Sequence, residues 1–175
     1  MAIVATIDGD DISEYSTPRL DRELLRRIVR SGHVGKVAVA SGPGSFTGLR
    51  VGASFGLGLA MGLGVPIVPL PTLDLQGARS DEPVTAVVDA GRGRYYYRVP
   101  GADTMLGEAV AIPATHPLVG NVADRRALVA AGHRFKPEEE LRPFAEAARR
   151  LIETAPEVPY RSLQIEYMQT FSVAR

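Results

Sequence analysis

The part of the chain with the most distinctive chemistry runs from Ser41 to Gly52, and it reads Ser-Gly-Pro-Gly-Ser-Phe-Thr-Gly-Leu-Arg-Val-Gly. An apolar run, residues 37–40, precedes it, and a segment of small and apolar residues follows it as far as Gly64. Glycine takes positive φ angles without steric cost, so this composition predicts a tight turn between a strand and a helix. Such a turn can cradle a phosphate, hold a nucleophile or cap a helix. The loop comprises Gly42, Pro43, Gly44, Ser45, Phe46, Thr47, Gly48 and Arg50.

Two phosphate-binding patterns fit this loop only in part. A phosphate loop of the Gly-x-x-x-x-Gly-Lys-Ser/Thr type needs a lysine, whereas here Leu49 and Arg50 follow Gly48. A dinucleotide fingerprint needs an acidic residue at the end of the next strand, and Pro69-Leu70-Pro71 stands at that place. A small nucleotide-binding enzyme that uses the loop on phosphates therefore stays open as the alternative function.

Nucleophilic and metal-dependent chemistry are less well supported. Ser45 lies in Gly-Ser-Phe-Thr-Gly, which does not have the spacing of a Gly-x-Ser-x-Gly elbow. Its hydroxyl, or that of Thr47, is better explained as a cap on the following helix. The sequence has no cysteine, and its three histidines lie far apart. We expect no catalytic residue, no metal site and no cofactor, and a peptidase ranks last among the alternatives.

The composition is that of an ordinary globular protein. The 175 residues suffice for one domain or two small lobes, and the formal net charge of zero gives no field that would attract nucleic acid directly. Residues 51–70 carry no charge and are long enough to span a bilayer, but their two prolines and repeated glycines disfavour a span. The expectation is a cytoplasmic protein without a membrane segment.

The spacing of apolar residues predicts the elements that position the loop. A hairpin around Asp8-Gly9-Asp10 is followed by a helix, a buried strand, a second helix and a strand that returns parallel to the first. These elements cover residues 2–7 and 11–16, 20–29, 36–40, 47–63 and 67–70.

The second half of the sequence predicts further elements around a second hairpin. They are a helix ending at 78, strands at 84–89, 94–99, 109–112 and 118–119, and helices at 124–131 and 138–154. We predict two lobes, residues 1–75 and a smaller one at 76–175.

The turn of the second hairpin carries polar residues whose role the sequence leaves open. Asp89 and Arg92 fit either contact with an anionic ligand or an ion pair within the turn. The run Tyr95-Tyr96-Tyr97 alternates between two faces of a strand, which favours core or interface packing over stacking on RNA bases.

The second helix must be covered on most of its sides. Glycine costs about 1 kcal/mol relative to alanine inside a helix, and the segment 47–63 holds five glycines. Gly48, Gly52 and Gly56 fall on one stripe where another backbone could approach closely. An apolar ridge runs beside that stripe and is formed by Val51, Phe55, Leu59 and Leu63.

These motifs resemble those of the bacterial TsaB (YeaZ) family. The segment 41–52 is similar to the hallmark of that family, and the segment 87–96 is similar to its strand-Asp-Ala-Arg-x-x-x-x-Tyr motif, carried here by Asp89, Arg92 and Tyr95. The segments 64–68 and 165–168 also lie where the family has counterparts.

The resemblance implies an α/β fold of the actin-like ATPase (ribonuclease H-like, ASKHA) class, with degenerate nucleotide machinery. It also implies a role in making N6-threonylcarbamoyladenosine beside the anticodon of tRNAs. In that role the chain would be a non-catalytic platform that binds the TsaD transferase subunit. The ATPase TsaE would join the assembly, and tRNA would be reached only through the complex.

Two departures from the family bear on the expected fold. Family members begin with a strand ending in Asp-Thr-Ser, whereas residues 2–7 correspond to the second strand of the family. The histidine-containing segment before the first helix is replaced by Ser16-Thr17-Pro18-Arg19. The resemblance thus implies an N-terminally shortened member.

The family contact between TsaB and TsaD is a helical bundle, which implies that the first two helices bind the partner. Without TsaD we expect these helices to pair with a second copy, giving a homodimer. The residues implied are Leu24, Leu25, Ile28, Leu49, Val51, Gly52, Phe55, Gly56 and Leu59.

Overall fold

A computed structural model of the chain describes residues 2–30 and 32–165. The segment 165–168 resembles a family motif, and its last three residues lie outside the described residues.

The chain opens with an antiparallel hairpin. Strand β1, Ala2–Asp8, pairs with strand β2, Asp11–Thr17, through a turn at Gly9-Asp10. Gly9 has a φ angle of 57°, which the predicted Asp-Gly turn requires. Helix α1, Arg22–Arg30, follows, and the carboxylate of Asp21 caps it by accepting the Leu24 N–H at 3.1 Å.

A parallel pair of strands and the long helix between them form the second unit. Strand β3, Val37–Gly42, leads through the glycine-rich loop into helix α2, Phe46–Leu63. Strand β4, Ile67–Pro71, then pairs parallel to β3, as the sequence predicts. Gly64 ends α2 in the left-handed conformation, with φ of 69°.

The second half is built on a four-stranded sheet. Helix α3, Thr72–Gly77, leads to the predicted hairpin of β5, Thr85–Gly91, and β6, Arg94–Arg98. Strand β7, Met105–Glu108, and strand β8, Leu118–Val119, complete the order β7-β6-β5-β8. At Gly120, directly after β8, an added Cβ would overlap the backbone carbonyl of Val87, so the chains approach more closely there than a side chain permits.

Two helices cover these sheets. Helix α4, Arg126–Ala130, places Leu128 in the core of the four-stranded sheet. Helix α5, Phe144–Ile152, packs against β1, β2, β4 and α3, and its Ala145 N–H donates to a carboxylate oxygen of Glu14 at 2.8 Å. The C-terminal helix therefore lies on the elements of the first half, and the predicted lobe division after residue 75 stays a prediction.

The structure corrects two predicted elements. Residues 109–111 form a 3-10 helix, and the strand that pairs with β6 lies just before it, at 105–108. The predicted helix 138–154 is interrupted, because Glu138–Glu140 form a 3-10 turn and α5 begins only after Pro143. Proline has no N–H and clashes with the preceding helical turn, so it starts a helix rather than continuing one.

Helix α2 has one interior face and one exposed face. Leu49, Ala53, Gly56 and Ala60 are buried, and at Gly56 the helix lies directly on β3. Among the described helices, α2 is long and apolar enough to cross a membrane by length and composition. Of its 18 residues, 22% are buried inside the protein. One face of α2 packs on β3, as in a core helix of a folded domain. Apolar residues on its other face, such as Val51 and Met61, are exposed.

The contact at Gly56 predicts opposite effects of one substitution at two glycines of the same helix. A Cβ at Gly56 would overlap Val39 Cγ1 and lie 3.5 Å from Val37 Cγ1, whereas a Cβ at Gly52 would meet nothing within 4 Å. We expect Gly56→Ala to lower the free energy of unfolding by about 1–2 kcal/mol through overpacking. Gly52→Ala should raise it by up to about 1 kcal/mol, because alanine favours the helix. Urea unfolding followed by circular dichroism measures both, and equal effects would refute the close contact.

Candidate functional site: the glycine-rich loop and the groove between the first two helices

The first half of the glycine-rich loop is part of the protein interior. Ser41, Gly42 and Pro43 are buried, and Gly42 has a φ angle of 110°, a conformation that a residue with a side chain rarely adopts. A Cβ on Gly44 would lie 3.7 Å from Leu49 Cγ, in ordinary van der Waals contact. The first half of the loop is thus a buried turn at the end of the strand.

The second half of the loop starts α2. Ser45 is the N-cap, and its Oγ accepts the Gly48 N–H at 3.1 Å, as the sequence analysis predicts. Phe46 and Thr47 are exposed, and the guanidinium carbon of Arg50 lies 5.0 Å from the centre of the Phe46 ring. The hydroxyl that could serve as a nucleophile is therefore engaged in holding the first turn of the helix.

The second motif lies on a different sheet, in the turn between β5 and β6. A carboxylate oxygen of Asp89 accepts the Gly91 N–H at 2.6 Å, and Arg92 has a positive φ angle of 56°. These contacts are those of a tight hairpin, since an aspartate that binds the backbone two residues ahead closes a turn. The functional role predicted for Asp89 and Arg92 stays a prediction.

The three tyrosines of β6 belong to the core. Tyr95 and Tyr97 pack in one cluster with Val87, and Tyr96 packs in another with Leu73. Each of the three is at most 4% exposed, so none offers a face to an RNA base. This confirms the preference for core packing.

Helix α1 also divides into an inner and an outer face. Leu24 and Ile28 are buried. Leu25 and Val29 face a surface groove, and Val29 is 50% exposed. On the inner side the guanidinium carbon of Arg27 lies 4.5 Å from the centre of the Tyr15 ring, which ties α1 to β2.

The outer faces of α1 and α2 enclose a groove with a volume of about 670 Å³, which we call the α1–α2 groove. Its apolar lining comes from Leu25, Val29, Phe55, Leu59 and Leu63. Ser54, Gly58 and Gly62 form a stripe of small residues along α2, and added Cβ atoms on the two glycines would meet nothing within 4 Å. The groove therefore has space for the side chains of an approaching element.

The residues predicted to bind a partner fall into two groups. Leu24, Ile28, Leu49 and Gly56 are buried inside this chain and stabilise its own fold. Leu25, Phe55 and Leu59 line the groove, while Val51 is exposed and Gly52 half-buried on α2.

One side of the groove was not predicted from the sequence. It grouped the glycines at 48, 52 and 56, whereas the stripe in the groove is Ser54, Gly58 and Gly62. Both sets have the four-residue spacing of one helical face. Only the packing of Gly56 on β3 decides which of the two stripes faces outward.

The described part of the chain contains no group of three or more histidine, cysteine, aspartate or glutamate side chains that could hold a metal ion. The buried His133 has its Nε2 within 3.0 Å of the Ala109 carbonyl oxygen, a contact inside the core of the second sheet.

Comparison with protein families gives a match over most of the chain. The family model described as "TsaD: tRNA N6-adenosine threonylcarbamoyltransferase" matches residues 17–149. That span runs from the end of β2 into α5 and includes both motifs.

Two curated relatives are named TsaB. The tRNA threonylcarbamoyladenosine biosynthesis protein TsaB of Haemophilus influenzae is 34% identical over 85 residues, which are 46% of this chain and 36% of that protein. The Bacillus subtilis protein of the same name is 41% identical over 64 residues, 35% of this chain and 28% of that protein. The matches span about a third of these relatives.

A solved structure shows the same fold. The crystal structure of an uncharacterized protein with similarity to peptidase YEAZ from Pseudomonas aeruginosa superimposes with a TM-score of 0.73. It is 19% identical and covers 95% of this chain and 94% of its own. The predicted α/β fold of the actin-like class is confirmed.

The cap at Ser45 predicts a measurable loss of stability. Ser45→Ala removes the acceptor of the Gly48 N–H, and we expect the free energy of unfolding to fall by about 0.5–2 kcal/mol. Ser45→Asp should restore most of that loss, because aspartate also caps helices. Urea unfolding measures both variants. A loss that aspartate does not restore would indicate that the hydroxyl has another role.

The environment of Tyr95 predicts how stability changes at alkaline pH. Burial first, and then the carboxylates of Asp89 and Asp124, raise the pKa of Tyr95 above its ordinary value of 10.0. The neutral phenol is therefore favoured in the folded state. Its contribution to stability is fully present below the pKa of the unfolded chain and is lost as pH rises through the folded pKa. Stability measured above about pH 10 should fall less steeply in Tyr95→Phe than in the wild type. Equal slopes would contradict this.

Proposed function

We propose that this chain, which belongs to the TsaD-type family of tRNA N6-adenosine threonylcarbamoyltransferase proteins and resembles its TsaB (YeaZ) members, is a non-catalytic partner subunit in the biosynthesis of tRNA N6-threonylcarbamoyladenosine. It acts in the cytoplasm as a platform for a TsaD-type subunit. A TsaE-type ATPase joins that assembly, and tRNA is bound only through it. Relatives named for this biosynthesis match 46% and 35% of the chain, and the proposal extends their role to it.

The observation that carries the proposal is the open α1–α2 groove. Phe55 and Leu59 are half-buried in it, and Val29 is 50% exposed at its side. Burying apolar surface contributes about 25 cal/mol of favourable free energy for each Å² removed from water. A surface of this composition therefore favours association. A partner that covers it and the neighbouring Val51 would form an interface of the ordinary size, above about 1,000 Å² in total.

A helix of the partner is the element that fits the groove. The groove lies between two helices, and the small side chains at Ser54, Gly58 and Gly62 let a third helix come close. Close approach of helices at small residues maximises van der Waals contact along the seam. In the absence of a TsaD-type subunit, the same groove is open to a second copy of the chain, as the sequence analysis expects.

In this proposal the glycine-rich loop has a structural role. Ser45 caps α2, and Ser41, Gly42 and Pro43 before it are buried. The loop therefore fixes the direction in which α2 leaves β3, and α2 in turn supplies one wall of the groove.

Filling the groove should abolish partner binding while the fold is retained. Gly58→Leu adds a side chain where nothing lies within 4 Å of the Cβ position, and we expect the affinity for the TsaD-type subunit of the same organism to fall at least tenfold. Isothermal titration calorimetry measures the affinity, and circular dichroism checks the fold. Gly35→Leu is the matched control, since its Cβ also meets nothing within 4 Å but it lies outside the groove. Equal binding by both variants would contradict the proposed site.

The role in the pathway is tested by co-expression with that TsaD-type subunit, followed by an assay for the modified adenosine. We expect modification with the wild type and its loss with Gly58→Leu. Titration with ATP and NAD distinguishes the nucleotide-binding alternative, because a platform subunit should bind neither. Saturable binding of either nucleotide, lost when the loop is altered, would favour the enzyme.

A further inference from the structure

One rim of the α1–α2 groove carries a row of like charges. Arg22, Arg26 and Arg30 line it at four-residue intervals, so they lie along one side of α1. The other groove residues from α1 and α2 are apolar, glycine or serine. The groove is thus apolar along its length and positive along one edge.

These arginines are poorly neutralised within the chain. Arg26 contacts Glu23 at 3.4 Å, but both side chains are more than half exposed, where an ion pair contributes little. Among the ion pairs of residues 2–30 and 32–165, none includes Arg22 or Arg30. Helix α2 contains no aspartate or glutamate. Within the described residues, Arg22 and Arg30 therefore have no acidic partner.

We propose that the occupant of the α1–α2 groove is an amphipathic helix of a different protein, with carboxylates spaced three or four residues apart along one flank. Its apolar face lies between α1 and α2, and its carboxylates pair with Arg22, Arg26 and Arg30. This inference rests on the proposed function of the groove and adds the chemistry of the partner.

A second copy of this chain does not meet the same requirement. In a two-fold pair the same patch lies on both sides of the interface. The α1 and α2 helices of the second copy would offer Glu23 as their one carboxylate against the arginines of both copies. Covering guanidinium groups without acidic partners costs desolvation free energy that apolar contact has to offset. Self-pairing is therefore weaker than pairing with an acidic helix.

A flat anionic membrane is the other surface that apolar and basic residues can attract. The geometry disfavours it, because open space lies beside Gly58 and Gly62, which a planar surface would leave as a gap. A helix with side chains inserted beside Gly58 and Gly62 fills that space. Binding to anionic lipid vesicles separates the two cases.

Salt distinguishes the two kinds of protein pairing by the sign of its effect. Screening weakens attraction between opposite charges and relieves repulsion between like charges. Raising sodium chloride from about 50 to 500 mM should weaken the complex with the TsaD-type subunit severalfold, largely in its association rate. The same change should leave self-pairing unchanged or strengthen it, which sedimentation velocity detects.

The decisive experiment reverses two charges on the rim. The double variant Arg22→Glu/Arg30→Glu should bind the TsaD-type subunit at least tenfold more weakly than the wild type, and its affinity should lose the dependence on salt. Arg134→Glu/Arg125→Glu is the matched control, since it makes the same charge change on exposed residues of the second half and should bind as the wild type does.

A pair of peptides tests the inference without the TsaD-type subunit. Both are amphipathic helices with the same apolar face, one with glutamates and one with lysines along the flank. The wild type should bind the glutamate peptide at least tenfold more tightly, and Gly58→Leu should abolish that binding. Equal binding of the two peptides, or retained salt dependence in the rim variant, would overturn the inference while the groove itself stays supported.

The remaining outcomes separate the two proposals. If Gly58→Leu and the rim variant both bind the TsaD-type subunit normally, the groove is not the binding site and the inference fails, while the partner role stays supported. If the wild type itself does not bind that subunit, the proposed function fails. If the wild type binds vesicles of three parts phosphatidylcholine to one part phosphatidylglycerol, and the rim variant does not, while neither peptide binds, the occupant is a membrane and the inference is overturned.

Discussion

The contact between helix α2 and strand β3 at Gly56 is the constraint on which the rest of the structure depends. A side chain at this position would overlap Val39, so the helix can lie at its observed distance from the strand only because residue 56 has none. That distance buries Ala53 and Ala60 and turns the opposite side of the helix outward. The way this helix lies on the strand also decides which of its residues line the α1–α2 groove, Phe55 and Leu59 among them.

The two glycine stripes of α2 perform different physical tasks. Gly56 permits a contact inside the chain, whereas Gly58 and Gly62 leave space outside it. A helix with several glycines is unfavourable by itself, so its stability depends on packing against β3. The likeness to TsaB proteins, predicted from the segment 41–52, is confirmed by the curated matches.

The sequence predicts much of the fold because most elements have a simple signal. The hairpin of β1 and β2 follows from Asp-Gly between two β-rich runs, and the pairing of β3 with β4 follows from the short return after α2. The strand placed at 109–112 is wrong because an apolar run fits a 3-10 turn equally well, and its neighbour at 105–108 makes the ladder. The helix predicted from 138 fails at Pro143, where amphipathic spacing continues although the backbone cannot.

The site is less predictable than the fold for a specific reason. Residues of an amphipathic helix can be assigned to a face, but Leu24 and Leu25 are adjacent and only one of them enters the core. The choice depends on the rotation of α1 about its axis, which buries Leu24 and Ile28 and leaves Leu25 at the groove. Long-range packing of this kind leaves no local pattern, so the sequence indicates the helices of the groove but not which of their residues line it.

The position of α5 has a consequence for the order in which the chain acquires its structure. The helix joins the first hairpin to the rest of the protein through the Ala145 to Glu14 hydrogen bond, whose partners are 131 residues apart in sequence. A two-stranded hairpin is at best marginally stable alone, and contacts between distant residues form slowly because a long loop must close first. During synthesis the hairpin therefore stays exposed until α5, about 130 residues later in the sequence, has left the ribosome. The hairpin is made long before the helix that secures it.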